Sequence, residues 1–253
     1  YTRSDTLSLH DALPIYALIF AGGTGQRMNT VSLPKQFLKV HNKEIIVHTI
    51  EHFEKNANID GIVVVCVKDY IDFMFSLKEQ YKLSKVVKIV QGGKTGQESI
   101  WNGLQVIKTL SENDDDVVLI HDGVRPLIEQ TTIDDNIGCV KKFGTCVTVA
   151  KSIETVLIMG NNNDVDSVLD RSKCYLGRAP QSFFVKDIYD AHIKANSEGL
   201  TNFIDSSMLM SYYGYKIHTV QGPAYNIKVT TPIDFYMFKA MLDAEEYKQI
   251  RSE

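Results

Sequence analysis

The sequence predicts an α/β fold: a Rossmann-like, mostly parallel sheet flanked by helices, with a protruding β-hairpin arm for dimerisation. Three observations lead there. Short β-branched runs recur along the chain, stretches of helical periodicity lie between them, and one segment, residues 151–178, breaks that rhythm. Nearly all-apolar strands alternating with helices call for a sheet covered on both faces, which parallel crossovers provide.

The opening residues 1–15, "YTRSDTLSLHDALPI", show neither strand alternation nor a helical stripe and read as a non-native leader. The strands expected after it are "YALIF" (16–20), "IVVVCV" (62–67), "VVKIV" (86–90), "VVLI" (117–120) and "TCVTVA" (145–150). Between them, "EIIVHTIEHFEKN", "DYIDFMFSLKEQYK" and "ESIWNGLQVIKTLSE" carry apolar residues at helical spacing. Two short strand-like pieces flank the turn-forming "GNNND", which gives the arm of about 151–178. A hairpin leaving the core cannot bury its own apolar side chains, so a second copy is expected over Val156, Leu157 and Ile158. A helix over 186–198, another from Asp205 to Tyr213, a strand through "KIHTV" and a closing helix from about 232 complete the chain.

With 253 residues, one domain over 16–253 is expected. A net charge of −4 argues against a surface that coats nucleic acid, so an anionic ligand must meet a local basic site. No run reaches the ~18 apolar residues of a membrane span. Cys66, Cys139, Cys146 and Cys174 form no CxxC step and have no histidine at zinc-ligand spacing, which fits a reducing, cytoplasmic setting.

Chemistry concentrates behind the first strand. Gly22, Gly23 and Gly25 offer bare backbone where a ligand can approach, and their N–H groups can point at oxygens. Met28 stands where the dinucleotide fingerprint needs its last glycine, and Lys88 stands where a Walker A loop ending in Gly93-Lys94-Thr95 needs its first. Neither motif holds. Arg27 supplies a planar fork for phosphate oxygens and Lys35 a point charge aimed by Pro34, an arrangement suited to a triphosphate. Asp122 closes a buried apolar strand, where by position alone capping a turn and serving a ligand are equally good readings. His121 reads as packed, Trp101 as core or interface, and "ENDDD" as a solvated loop.

Taken together, "AGGTGQRM" with "LPKQF", then "GGKTGQES", "HDGVRP", "RAPQSF" and "NIKVTTPID", resemble a known family: the cytidylyltransferases that couple CTP to 2-C-methyl-D-erythritol 4-phosphate or D-ribitol 5-phosphate. The resemblance runs from Tyr16 to about residue 245. It implies that Ala21, Gly22, Gly23, Thr24 and Gly25 wrap the CTP phosphates and base, and that Arg27 and Lys35 stabilise transition-state charge. Gly93 and Ser99 would contact cytosine and ribose. Asp122 would hold Mg²⁺ against the phosphates. Arg125, Thr155, Asp205 and Lys228 would serve the acceptor, as would Arg171, reaching in from the other subunit of a homodimer. Two positions depart from the pattern, since Ala179 and Ile204 stand where family members usually carry threonine on the acceptor side.

That chemistry needs no proton-transfer catalyst. A phosphomonoester has a second pKa of ~6 and is already a dianionic nucleophile at neutral pH. The expected activity is therefore CMP transfer from CTP to a linear polyol phosphate. A sugar-1-phosphate nucleotidyltransferase and a nucleotide-binding regulator are alternatives, with an oxidoreductase further off.

Overall fold

A computed structural model describes residues 13–22 and 33–251, with side chains described through residue 244. Among these residues the chain builds a seven-stranded sheet with helices on both faces. Strand β1 is Ile15–Ala21; the small ladder of β2 (Lys39–Val40) and β3 (Lys43–Glu44) leads into helix α1 (Ile45–Lys55). There follow β4 (Gly61–Cys66), α2 (Ile71–Gln80), β5 (Val86–Gln91), α3 (Gly96–Leu110), β6 (Val117–Asp122), α4 (Gln130–Phe143) and β7 (Thr145–Lys151). The hairpin β8 (Leu157–Met159) and β9 (Val165–Val168) precedes the long β10 (Tyr175–Phe184), then α5 (Val185–Ser197), α6 (Ser206–Tyr212), β11 (Thr219–Gln221) and α7 (Pro232–Arg251).

The sheet order is β11-β7-β10-β6-β1-β4-β5. Every pairing in it is parallel except those of β10, which runs antiparallel to both β6 and β7. Side chains alternate across the sheet, so Ala17, Ile19, Val64 and Leu119 join one buried cluster with α1 and α4, while Leu18, Val63, Val118 and Ile120 join another with α3 and α5. This alternation explains the uninterrupted apolar strands. A third, smaller cluster seats α7 through Phe238 against Val124, Leu127 and Val229.

Two of the larger elements, α4 and β10, and the small β2–β3 ladder lie outside the elements expected from sequence. Helix α4 carries Ile133, Ile137 and Val140 on its buried face and ends at Gly144 with φ of 80°, the left-handed conformation favoured after a helix. Strand β10 contains Pro180, which normally argues against a central strand. Its pairing with β7 shifts register between Gly177 and Gln181, and the proline falls inside that irregularity. The strand expected through "KIHTV" is shorter and begins at Thr219. The Thr145 hydroxyl explains this: it donates to Lys216 O and accepts from His218 N, taking groups a ladder would use.

The arm exists as a two-stranded hairpin. Leu157, Ile158 and Met159 are each about half exposed. Residues 1–12, the greater part of the expected leader, lie outside the described residues. Among the described residues no helix is long and apolar enough to cross a membrane.

Candidate active site

The carboxyl ends of the central strands gather the site, as open α/β sheets require. Asp122 ends β6, and its backbone pairs with Phe20 of β1. The next residue of β1, Ala21, accepts from Gln36 Nε2 at 2.7 Å, which ties the 3-10 turn Lys35–Phe37 to the end of the strand. Lys35 therefore starts a turn anchored one residue past the Asp122 pairing.

Gly22, just past β1, lies against Ser99 in the first turn of α3. A β-carbon on Gly22 would lie 2.5 Å from Ser99 Oγ, and one on Gly92 would lie 3.0 Å from Gly22 Cα, so the end of β1 and the second glycine turn, before α3, meet backbone to backbone. Ser99 Oγ accepts from Gly93 N at 3.0 Å and donates to Thr95 O at 2.9 Å, locking the second turn. Thr95 caps α3 by accepting from Glu98 N. Gly22, Gly93 and Ser99 thus come together. Gly23, Thr24, Gly25 and Arg27 lie outside the described residues.

Asp122 holds two cations. Its Oδ2 accepts from Arg125 Nε at 2.7 Å, and its Oδ1 lies 2.5 Å from Lys228 Nζ. Arg125 Nη1 also donates to Asn226 O, and Val229 N donates to Val124 O, so the "NIKV" strand-like segment is strapped beside β6 and delivers Lys228. Lys228 Nζ sits 5.9 Å from the Phe20 ring centroid. Burial pushes the Asp122 carboxyl up, but Lys228 and then Arg125 outweigh it and hold the group well below the usual carboxylate range. His121 beside it is fully buried, bonds Arg125 O through Nε2, and is lowered by burial to about 4. It is a neutral, packed histidine, as expected.

Asp122, Arg125 and Lys228 open onto a cleft of about 290 Å³. Asp205 lines it too, with its carboxylate spent on capping α6 through Met208 N, on Ser207 Oγ and on Gln181 Nε2. Thr155 and Arg171 do not line this cleft. Both are exposed in the arm, where Arg171 donates to Ile153 O at 3.3 Å. Arg178, which opens the "RAPQSF" motif without a role readable there, and His192 and Ser206, which lie in none of the motifs, do line it. Their placement depends on the β10 irregularity and on the α5 and α6 packing, which no short sequence pattern encodes.

A divalent cation would find one buried, ionised carboxylate here. Each Asp122 oxygen keeps a lone pair beyond its contact to a cation, and Mg²⁺ takes one or two carboxylates with phosphates and waters. Among the described residues no group of three or more His, Cys, Asp or Glu could hold a metal unaided. The donor set fits a cation carried by phosphates.

Residues 15–244 match the family model described as IspD: 2-C-methyl-D-erythritol 4-phosphate cytidylyltransferase. The chain is 51% identical over 233 residues to a ribitol-5-phosphate cytidylyltransferase of Streptococcus agalactiae serotype III (strain NEM316), covering 92% of this chain and 97% of the relative. A protein of the same name from Vibrio parahaemolyticus serotype O3:K6 is 47% identical over 92% of this chain and 98% of its own length. Among solved structures, the crystal structure of 4-diphosphocytidyl-2C-methyl-D-erythritol synthase from Anaerococcus prevotii DSM 20548 superposes with a TM-score of 0.79 at 29% identity, over 92% of this chain and 97% of that one.

Proposed function

This chain belongs to the 2-C-methyl-D-erythritol 4-phosphate cytidylyltransferase (IspD) family, and on that premise we propose that it moves CMP from CTP to D-ribitol 5-phosphate, giving CDP-ribitol and pyrophosphate. CTP-dependent transfer to a polyol phosphate is the activity; the choice of ribitol rests on the curated relatives at 47–51% identity. The observation that carries the site assignment is one buried carboxylate holding Arg125 and Lys228 in the lining of a cleft at the carboxyl ends of β1 and β6.

The reaction brings a dianion to a triphosphate, so its barrier is electrostatic and positional. The acceptor phosphate oxygen attacks the α-phosphorus, and the bond to pyrophosphate breaks. Arg125 and Lys228 are already aimed by Asp122 and Asn226 O, which removes the cost of ordering two long side chains when the acceptor phosphate arrives. Arg27 and Lys35 offset charge accumulating on the triphosphate. Gly22, with Gly23, Thr24 and Gly25, lends its backbone to the phosphates, while Gly93 and Ser99 hold the nucleoside side. His121 moves no proton, because the nucleophile arrives deprotonated and the ring is buried and neutral. Mg²⁺, held by Asp122 and the CTP phosphates, would supply charge neutralisation at the reacting phosphates.

The exposed arm belongs to the same proposal: a second copy covers Val156, Leu157 and Ile158, with Met159 exposed beside them, and Thr155 and Arg171 serve the acceptor site across that contact. A cytoplasmic setting, read from the cysteine pattern, goes with it. The test is pyrophosphate release from CTP and Mg²⁺ with ribitol 5-phosphate, methylerythritol 4-phosphate, erythritol 4-phosphate and glycerol 3-phosphate offered separately. Ribitol 5-phosphate should give the highest kcat/KM. A preference for methylerythritol 4-phosphate would overturn the acceptor assignment and leave cytidylyl transfer intact.

A further inference from the structure

Among the described residues, six buried side-chain polar atoms have no hydrogen-bond partner: His121 Nδ1, Arg178 Nε, both ring nitrogens of His192, Ser206 Oγ and Asn226 Oδ1. Arg178, His192 and Ser206, which carry four of these atoms, line the same cleft. Buried polar groups are normally paired, and exceptions cost stability, so three converging on one cavity need a common cause.

Three different elements deliver them. Arg178 lies in the stretch of β10 where pairing with β7 is interrupted, so it is released from the regular ladder. His192 comes from α5, its ring stacked 5.9 Å from Trp101 at an interplanar angle of 14°. Ser206 is the first residue of α6.

The charge balance identifies what is missing. Asp122 is committed to Arg125 and Lys228, and Asp205 to Gln181, Ser207 and Met208 N. No hydrogen bond or ion pair engages Arg178 among the described residues. Its guanidinium is always protonated, and burial, then the Arg125 charge, press against it. It therefore lacks an acceptor. His192 is held neutral by burial, with its pKa lowered to about 4, so it offers one N–H and one lone pair. Ser206 likewise offers a donor and an acceptor. Paired donor and acceptor capacity suits hydroxyl groups, whereas an ionised phosphate only accepts. Ile100, Ile120 and Leu209 line the same space and suit the carbon chain between hydroxyls. At about 290 Å³ the cleft sits at the small end of ligand pockets, fitting a short acyclic molecule.

We propose that Arg178, His192 and Ser206 form the subsite that reads the hydroxyl chain of the acceptor, with Arg178 next to the phosphate end held by Arg125 and Lys228 and the two neutral groups at the inner end. The assignment rests on the polyol phosphate reading given above and adds the residues that select the polyol. A site built to bond hydroxyls discriminates strongly against acceptors lacking them, because its own buried groups stay unpaired.

The experiment is steady-state kinetics of the full chain, Arg178→Gln and Ser206→Ala, with CTP, Mg²⁺ and either ribitol 5-phosphate or glycerol 3-phosphate, alongside thermal melts. Arg178→Gln should raise the ribitol 5-phosphate KM by about tenfold or more while the CTP KM stays within about twofold. Ser206→Ala should lower kcat/KM for ribitol 5-phosphate by roughly fivefold and narrow its preference over glycerol 3-phosphate. The Ser206→Ala melting temperature should hold or rise, since the hydroxyl removed has no partner in the free protein. If Arg178→Gln does not fold, Arg178→Lys replaces it with the same expected sign, because a point charge lacks the guanidinium fork. Acceptor KM and preference unchanged in both variants would overturn the proposal, as would a lowered melting temperature with unchanged kinetics, which assigns these groups to structure. Normal wild-type turnover accompanies that failure. Absence of wild-type turnover on every polyol phosphate would instead sink the parent reading and this one with it.

Discussion

Asp122 organises two cations with one carboxylate, and its neighbours inherit their geometry from it. The residues with a motif around them were legible before the fold was known. Asp122, Arg125 and Lys228 come together at one cleft, and Gly22, Gly93 and Ser99 come together at the end of β1, because strand-end charges and close backbone approach leave a local pattern in sequence. Arg178 stands in "RAPQSF" without a role readable there, and His192 and Ser206 leave no pattern, since their convergence depends on tertiary packing. Lys35→Ala should reduce kcat by about 10² to 10³ with an unchanged melting temperature; near-normal turnover would remove Lys35 from the reaction. The histidines give a second prediction. His121 and His192 drop from 6.5 to about 4 on folding, so the unfolded chain takes up their protons first as pH falls. The stability of their neutral forms is present above the unfolded value and is lost between about 6.5 and 4. Denaturant unfolding at pH 5 should show about 2 kcal/mol less stability per histidine than at pH 7. Asp122 has linkage of the same sign in a lower window, because its depressed carboxyl stabilises above about pH 4 and loses that contribution only as pH falls below it. A flat profile from pH 7 to 5 would contradict the neutral, buried state of both rings.

The elements themselves were largely readable, with strands β1, β4, β5, β6 and β7 falling on the β-branched runs. Local propensity and global fold agree there. Strand β10 escaped because Pro180 breaks the pattern of a central strand, and the same irregularity presents Arg178 to the cleft. Helix α4 was within reach through Ile133, Ile137, Val140 and the glycine that follows it. Close packing of α3 on the sheet gives a stability test. A β-carbon on Gly103 would lie 2.7 Å from Leu18 Cδ1 and 2.9 Å from both Leu18 Cγ and Val65 Cγ2, on two fully buried strand residues. Gly103→Ala should therefore destabilise by about 1–3 kcal/mol from overpacking, outweighing the ~1 kcal/mol gain in helix propensity. A raised melting temperature for Gly103→Ala would show that α3 can move off the sheet.

At the scale of the whole molecule, the carboxyl ends of β1 and β6 open onto a charged cleft, and the arm presents apolar side chains outward. An apolar hairpin with no cover of its own is expected to be buried by a second copy. Sedimentation should find a dimer, and Ile158→Asp should shift it toward monomer and raise the acceptor KM; a wild-type monomer would leave Thr155 and Arg171 without an acceptor role. The central claim is that this chain activates no nucleophile and instead lets two anions meet. The most direct measurement is single-turnover CDP-polyol formation from CTP, Mg²⁺ and ribitol 5-phosphate across pH 6 to 8. The account predicts stoichiometric CDP-ribitol and pyrophosphate, with a rate following ionisation of the acceptor phosphate near pH ~6 and a plateau above it. CTP binding without product on any polyol phosphate would contradict it.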